Sequence, residues 1–511
     1  MFKYYKIRIF LSSGFRKKKF VFFNGMHTKI RHSILFRNAV SSANVGVCFI
    51  RTNHANFNQK PIQQIFVLCY NGRMRFTSTR DKNLDSGFLN AILDALPSDG
   101  GLYVPEGNAN LRRWILYMDE RTPFSSIAGA LTSACINDEF SPIICETIVT
   151  HAFPFEPKVK QLDENLFTME LFNGPTGCHR DFGISYLVSC LETISILQDR
   201  KPILLDITTG KHGAILSHVM REKKNIKSIL VYPKGQLRGL SEKDFIWNGG
   251  NIFPVEADGD EELCRKLVRE ILSERSLVEK YTLTISTTAN IGRLLPHSFF
   301  YTYAFSRLKK KVSGDIYYAL APGNYSNLVA GLYSWRLSLP MSGLIVPASG
   351  ALNVDIQGYP VISDSLVPKE NRNPIDPSVP SNLERLEDFF TGYSSMIKSF
   401  IYPARISDAE AENAAKELYK KYSLVTDRAT SRAFAAAKKT GNLETGSGDA
   451  VVLIQRDHPA YSAEFAQHTL GETVSIPQNI LDVQAPFKLN RSPIKTRKEL
   501  IKILDEVSAS A

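Results

Sequence analysis

Several features are missing from this 511-residue chain, and each absence removes a class of function. Its seven cysteines (Cys48, Cys69, Cys135, Cys145, Cys178, Cys190 and Cys264) contain no CxxC pair, and no two histidines stand at metal-binding spacing. The spacing therefore predicts no disulfide framework and no metal site, and it favours a reduced compartment. No apolar run is long enough to span a bilayer, which argues against a helical membrane anchor. There is no internal repeat, and no low-complexity tract apart from the amino-terminal head. That head, residues 1–73, has no Asp or Glu at all but carries 13 of the 62 Lys and Arg residues. The remainder holds 49 basic and 51 acidic residues, so the formal charge of +11 belongs to the head, and the body is electrically neutral.

A basic, aromatic, Ser- and Asn-rich head without acids has the composition of a transit peptide. The simplest expectation is that translation starts at Met74, in MRFTSTRDKNLDSGFLNAILDALPSDGGLYVPE, and that residues 1–73 set no function. A targeting segment or basic arm is the alternative. Nucleic-acid binding is not expected, because no aromatic-basic module follows. The expected location is the cytoplasm, or an organelle if the head is a transit peptide.

What is present is an ordinary globular body, 43% apolar and 10% aromatic. Three segments share one plan of short apolar strand, glycine loop and amphipathic helix. ILLDI (203–207) runs into TTGKHGA (208–214), NIFPVEA (251–257) into DGD, and IYYALA (316–321) into PGNYSN (322–327). After DGD, Leu263, Leu267, Val268, Ile271 and Leu272 share one helical face. Alternating strands and helices predict parallel sheets covered on both faces, with ligands at the carboxyl ends of the strands. A glycine loop at a helix N-terminus suits a phosphate, so the expected partner is a small phosphorylated ligand or an amino acid. Helices are predicted over 409–422 and 429–441, a buried strand over 450–455, a surface loop over 365–380, and a short terminal helix in KTRKELIKILDEV.

The motifs SDGGLYVPE (98–106), ELFNGPTGCHRDFG (170–183), YPKGQL (232–237), ANIGRLLP (289–296), PGNYSNLVAG (322–331) and IDPSVPSNLERLE (375–387) occur in that order. In this series the chain resembles the threonine synthases, over roughly residues 74–480. The resemblance implies an α/β fold of the fold-type-II pyridoxal 5′-phosphate (PLP) enzymes: two parallel-sheet α/β domains with an N-terminal accessory domain. The implied division is 1–73 extension, 74–165 N-terminal domain, 166–482 α/β domains and 483–511 tail. It also implies PLP as cofactor and a lyase converting O-phosphohomoserine and water to threonine and phosphate.

The resemblance also locates the departures. Where the family places the Lys that carries PLP, this chain has Arg180. A guanidinium stays protonated and neither forms nor releases a Schiff base, so covalent attachment of PLP is not expected. The family's serine-glycine-aspartate-threonine-glycine loop reads Thr209, Gly210, Lys211, His212 and Gly213, with Lys in place of Asp. The phosphate loop reads Gly323, Asn324, Tyr325, Ser326 and Asn327, and the Thr expected to face the pyridine nitrogen is Arg456. Three readings follow: impaired threonine synthase activity, a non-catalytic ligand-binding or regulatory protein, or a rewired enzyme using Lys211 as its amine. Cys178 and His179, adjacent in one loop, are expected to point apart, as a packed Cys beside a partly buried His rather than a nucleophilic pair. His212 and His458 are expected to make structural hydrogen bonds. The sequence leaves oligomeric state open.

Overall fold

The computed structural model describes residues 74–509 except 108, 137–138, 222, 242–249, 363–366, 392–393, 444–445 and 490. Before residue 74 it describes only the backbone of an antiparallel hairpin, Val45–Arg51 with Gln64–Tyr70. The head otherwise lies outside the described residues, as does part of the loop expected over 365–380.

Two sheets make the body. One has four parallel strands in the order Leu283–Thr284, Ile203–Ile207, Lys227–Pro233, Ile252–Ala257. The other has six, in the order Ile401–Ala404, Gly343–Pro347, Ile316–Ala319, Ala450–Gln455, Leu166–Glu170, Lys158–Gln161. All its pairs are parallel except the last, which is antiparallel. This is the expected pair of parallel-sheet α/β domains. The strands read as continuous apolar runs because helices bury both faces: every residue of Ala450–Gln455 and of Leu166–Glu170 is buried.

The helices start where their caps dictate. Asp260 accepts from the Leu263 amide ahead of Glu261–Leu272, and Ser407 with Glu410 closes a capping box ahead of Asp408–Tyr422. The first glycine loop is shorter than its sequence suggests, since Lys211–Met220 is already helical and Lys211 and His212 sit in its first turn. Residues 491–509 dock on the four-stranded domain: Ile494, Leu500, Leu504 and Val507 join the core formed by Cys264, Leu267, Val268 and Ile271.

The N-terminal domain pairs Arg75–Ser78 with Tyr103–Glu106 and packs Phe124 against Phe153, Phe182 and Phe300, with centroids 5.1, 5.5 and 6.0 Å apart. The DGGLYVPE and SVPSNLERLE motifs meet at this junction. Arg385, fully buried, donates to the Tyr103, Thr288 and Ala289 carbonyls and to Asn382 Oδ1, at 2.9, 2.6, 2.8 and 2.6 Å. Glu384 accepts from Thr79 Oγ1 at 2.9 Å and pairs with Arg80 at 2.8 Å. These two motifs are structural fasteners.

Candidate active site

Strand order brings the site together. Ile316–Ala319, Ala450–Gln455 and Leu166–Glu170 are neighbours, so the loops at their carboxyl ends, 320–327, 456–462 and 171–180, lie side by side. The 208–213 loop, at the end of Ile203–Ile207, reaches them from the other sheet. Lys211 Nζ donates to Asp457 Oδ2 at 3.0 Å and lies 3.6 Å from the centroid of the Tyr461 ring. Tyr461 is held in turn, its hydroxyl donating to the Thr176 carbonyl at 2.6 Å.

The 174–181 turn is built around Asp181. This buried carboxylate accepts from the Thr176 amide at 3.0 Å and the Thr176 hydroxyl at 2.8 Å. Gly174 must lack a side chain, because a Cβ there would fall 2.4 Å from Asp181 Oδ2. Burial pushes the Asp181 carboxyl up to about 7, against the Thr176 hydrogen bonds that hold it down. Beyond it the backbone forms an antiparallel bridge, Cys178 opposite Asp457. The His179 amide donates to the Arg456 carbonyl at 2.8 Å, and the His458 amide to the Gly177 carbonyl at 2.9 Å.

That bridge overturns the expectation that the two side chains point apart, although Cys178 is packed and His179 partly buried, as expected. Both turn to one carboxylate: Cys178 Sγ lies 2.9 Å and His179 Nδ1 3.1 Å from Asp457 Oδ1, with sulfur and ring nitrogen 3.8 Å apart. Burial, then Asp457, pushes the Cys178 thiol far up. Burial lowers His179 to about 4 despite its hydrogen bond to Asp457, and Arg456 and Arg180 add to the fall. Burial alone would raise Asp457, but His179 and Lys211 hold it well below the carboxylate range.

The other sequence-nominated residues divide into turn builders and free groups. Thr209 is exposed, and its neighbour Thr208 makes the turn, accepting from the Gly210 and Gly213 amides at 3.1 and 2.8 Å. Gly210 has φ 145°, which favours glycine. His212 Nε2 is tied to Asp206 Oδ1 at 3.2 Å and Ser286 Oγ at 2.8 Å, and His458 Nδ1 accepts from the Ala460 amide at 3.2 Å, so both make the structural hydrogen bonds expected. In the second loop Asn324 Nδ2 donates to Thr288 Oγ1 at 2.9 Å, and the Tyr325 hydroxyl donates to the Ser349 carbonyl at 3.1 Å. Ser326 and Asn327 are buried at the start of the Ser326–Arg336 helix. Gly323 is exposed, and Arg456 Nη1 lies 2.9 Å from where its Cβ would be. Arg180 is exposed as the first residue of the Arg180–Gln198 helix.

Arg293 and Asp457 were not nominated from the sequence. Arg293 is 3% exposed and packs so closely on Gly183 that a Cβ there would lie 1.7 Å from its Nη1. Its partner is His297 Nε2; His297 Nδ1 donates to Asn327 Oδ1 at 2.6 Å. Burial and the Arg293 charge keep His297 neutral. Burial pushes the guanidinium down to about 9, with Arg180 repelling it further. Unlike Arg385, it donates to no backbone carbonyl among the described residues. ANIGR was visible in the sequence, but nothing in it announced a buried cation.

Chemically, the loops gather charges of both signs: Arg180 and Lys211 act on Cys178, Arg456 and Arg180 on His179, Lys211 on Asp457, and Arg180 on Arg293, which Asp181 and Asp206 partly offset. Residues 75–153 match the family described as threonine synthase N terminus. The threonine synthase of Escherichia coli (strain K12) is 28% identical over 416 residues, spanning 80% of this chain and 94% of that protein. That of Haemophilus influenzae is 28% identical over 397 residues, 77% of this chain and 90% of that protein. The crystal structure of threonine synthase from Escherichia coli aligns with TM-score 0.67 at 26% identity over 85% of this chain and 100% of that one. The PLP-bound threonine synthase from Brucella melitensis, 19% identical, shares the fold with TM-score 0.69 over 85% of this chain and 99% of that one.

Proposed function

We propose that this chain, a divergent member of the threonine synthase family, binds a small phosphorylated ligand or amino acid in the cleft between its two sheets and has impaired or no threonine synthase activity. The observation that carries this reading is Arg180, a guanidinium at the position where the resemblance expects the PLP-bearing lysine. Covalent PLP does not fit the residues present. Arg180 cannot make the bond. Lys211 is committed to Asp457 and Tyr461, and Arg456 crowds the first glycine of the phosphate loop. The cleft nevertheless suits anions, because buried Arg293 gains most from a counter-charge supplied by a ligand.

A second reading rests on Lys211, whose amine stands in the same cleft at a helix N-terminus. It makes the protein a rewired PLP enzyme. No membrane or nucleic-acid partner is proposed; no described helix is long and apolar enough to cross a membrane. The proposed compartment is the cytoplasm, supported by the free, buried thiols of Cys135, Cys145, Cys178, Cys190 and Cys264.

The test is to add PLP to the purified chain, record the visible band of a lysine-bound cofactor, fix any adduct with borohydride, and assay phosphate release from O-phosphohomoserine. The proposal expects no band, no adduct and no more than residual release, with binding of inorganic phosphate by calorimetry. An adduct on Lys211 would establish the second reading. A band with full turnover would refute the first.

A further inference from the structure

Cys178 Sγ, His179 Nδ1 and Asp457 Oδ1 are the donor set of a transition-metal site, and all these atoms lie within 4.8 Å of one another. Sequence spacing could not show this set, because Asp457 lies 279 residues from Cys178. We propose that this cluster is a mononuclear site for a borderline-soft divalent cation of the Zn²⁺ type, with three protein ligands and one open position.

The geometry supports three ligands on one ion. Bond lengths of about 2.3 Å to sulfur and about 2.0 Å to nitrogen and oxygen put the edges of a tetrahedron at roughly 3.3 to 3.6 Å. The edges here are 3.8 Å for sulfur to nitrogen, 3.1 Å for nitrogen to oxygen and 2.9 Å for sulfur to oxygen. Two edges are within a few tenths of an ångström, and rotation of one carboxylate opens the third. The donors are rigidly presented, since the Cys178–Asp457 bridge and its flanking amide bonds fix both backbones.

The chemistry agrees. Metal binding replaces the thiol proton, which leaves to solvent, so thiolate and carboxylate together balance a dication. The metal would take Asp457 Oδ1, and Oδ2, which lies 3.0 Å from Lys211 Nζ here, is left for an outer contact that orients the ligand. A nucleophilic Cys-His pair is the competing use of these residues. It fails on access, because Cys178 is fully buried and its sulfur faces a carboxylate, whereas reactive thiolates are exposed. Sulfur, nitrogen and oxygen in a three-ligand set select Zn²⁺ or Co²⁺ over Mg²⁺ and Ca²⁺.

The proposal is independent of the fate of PLP, and its test uses neither cofactor nor substrate. The full chain, stripped with chelator, is loaded with Co²⁺ and dialysed. The expected result is one Co²⁺ per chain, a thiolate-to-cobalt charge-transfer band, and visible bands of tetrahedral intensity that Zn²⁺ displaces. Cys178→Ser abolishes the charge-transfer band. His179→Gln, which leaves the thiol in place, weakens Co²⁺ binding beyond the roughly 10–100-fold that loss of an outer partner costs. Circular dichroism of the metal-free variants checks their fold, and His179→Gln decides alone if the serine variant does not fold. Absence of the band in the unmodified chain overturns the proposal. So does a band that survives Cys178→Ser, or Co²⁺ affinity unchanged in His179→Gln.

Discussion

Replacing Arg293 by methionine should make the ligand-free protein more stable while removing its response to phosphate. Arg293 is 3% exposed, and among the described residues its side chain hydrogen-bonds to a neutral histidine rather than a carboxylate. Burial lowers its guanidinium to about 9, which corresponds to a cost of about 5 kcal/mol for holding the charge inside. The side chain stays protonated in any case, so the folded state bears that cost. Methionine keeps most of the stem volume over Gly183 and removes the charge. Against the gain stands the lost hydrogen bond to His297, about 1 kcal/mol, and a His297 Nε2 left unpaired. The net expectation is a gain of about 1–3 kcal/mol, within the range seen when buried charges give way to apolar residues.

The assay is urea unfolding with and without inorganic phosphate. The unmodified chain should gain about 2.7 kcal/mol when phosphate is a hundredfold above its Kd, and the variant should gain nothing. The denaturant slope should stay constant, which keeps the midpoints comparable. The reasoning is refuted if the ligand-free variant is less stable by more than about 1 kcal/mol. It is also refuted if phosphate stabilises both proteins equally.

Arg385 provides the opposite sign: Arg385→Leu strands three backbone carbonyls and Asn382 Oδ1, and should lower stability by about 3–5 kcal/mol in the same unfolding experiment. Gly183→Ala puts a Cβ 2.5 Å from the Arg293 carbonyl oxygen as well as 1.7 Å from its guanidinium. It should cost about 1–3 kcal/mol, and Arg293→Met should relieve only the side-chain part of that, as a double-mutant cycle will show. The Asp181 carboxyl, at about 7 when folded and about 4 when unfolded, contributes stability that is complete below about pH 4 and is lost as pH rises through 7. Asp181→Asn should flatten that decline, a change of roughly 4 kcal/mol across the window when measured on chelator-treated protein.

The architecture was legible because its signals are local. ILLDI, NIFPVEA and AVVLIQ are apolar runs bounded by turn residues, and each became a buried parallel strand within one residue of its predicted limits. Arg180 was legible because it interrupts a motif. The cluster around Asp457 was not, because it depends on Ala450–Gln455 lying beside Leu166–Glu170 in register, Gln455 opposite Glu170. No spacing rule carries that pairing. Arg293 was hidden for a related reason: its burial comes from Gly183, its orientation from His297 and Asn327, and these sit on three different helices or turns.

The pairing of departures bears on whether the site decayed or was rebuilt. In the resemblance, the glycine loop's Asp is replaced by Lys211, and the threonine-alanine-histidine-proline segment acquires Arg456 and Asp457. Independent loss would leave the new lysine and the new aspartate without regard to each other. Instead they come from loops on different sheets and meet at 3.0 Å, with the ammonium also seated on Tyr461. The same carboxylate engages Cys178 and His179, the two residues immediately ahead of Arg180. A half-buried lysine or aspartate without its partner would cost stability, so either change alone is unfavourable and the two together are tolerated. The two replacements therefore depend on one another, each supplying the counter-charge that makes the other tolerable.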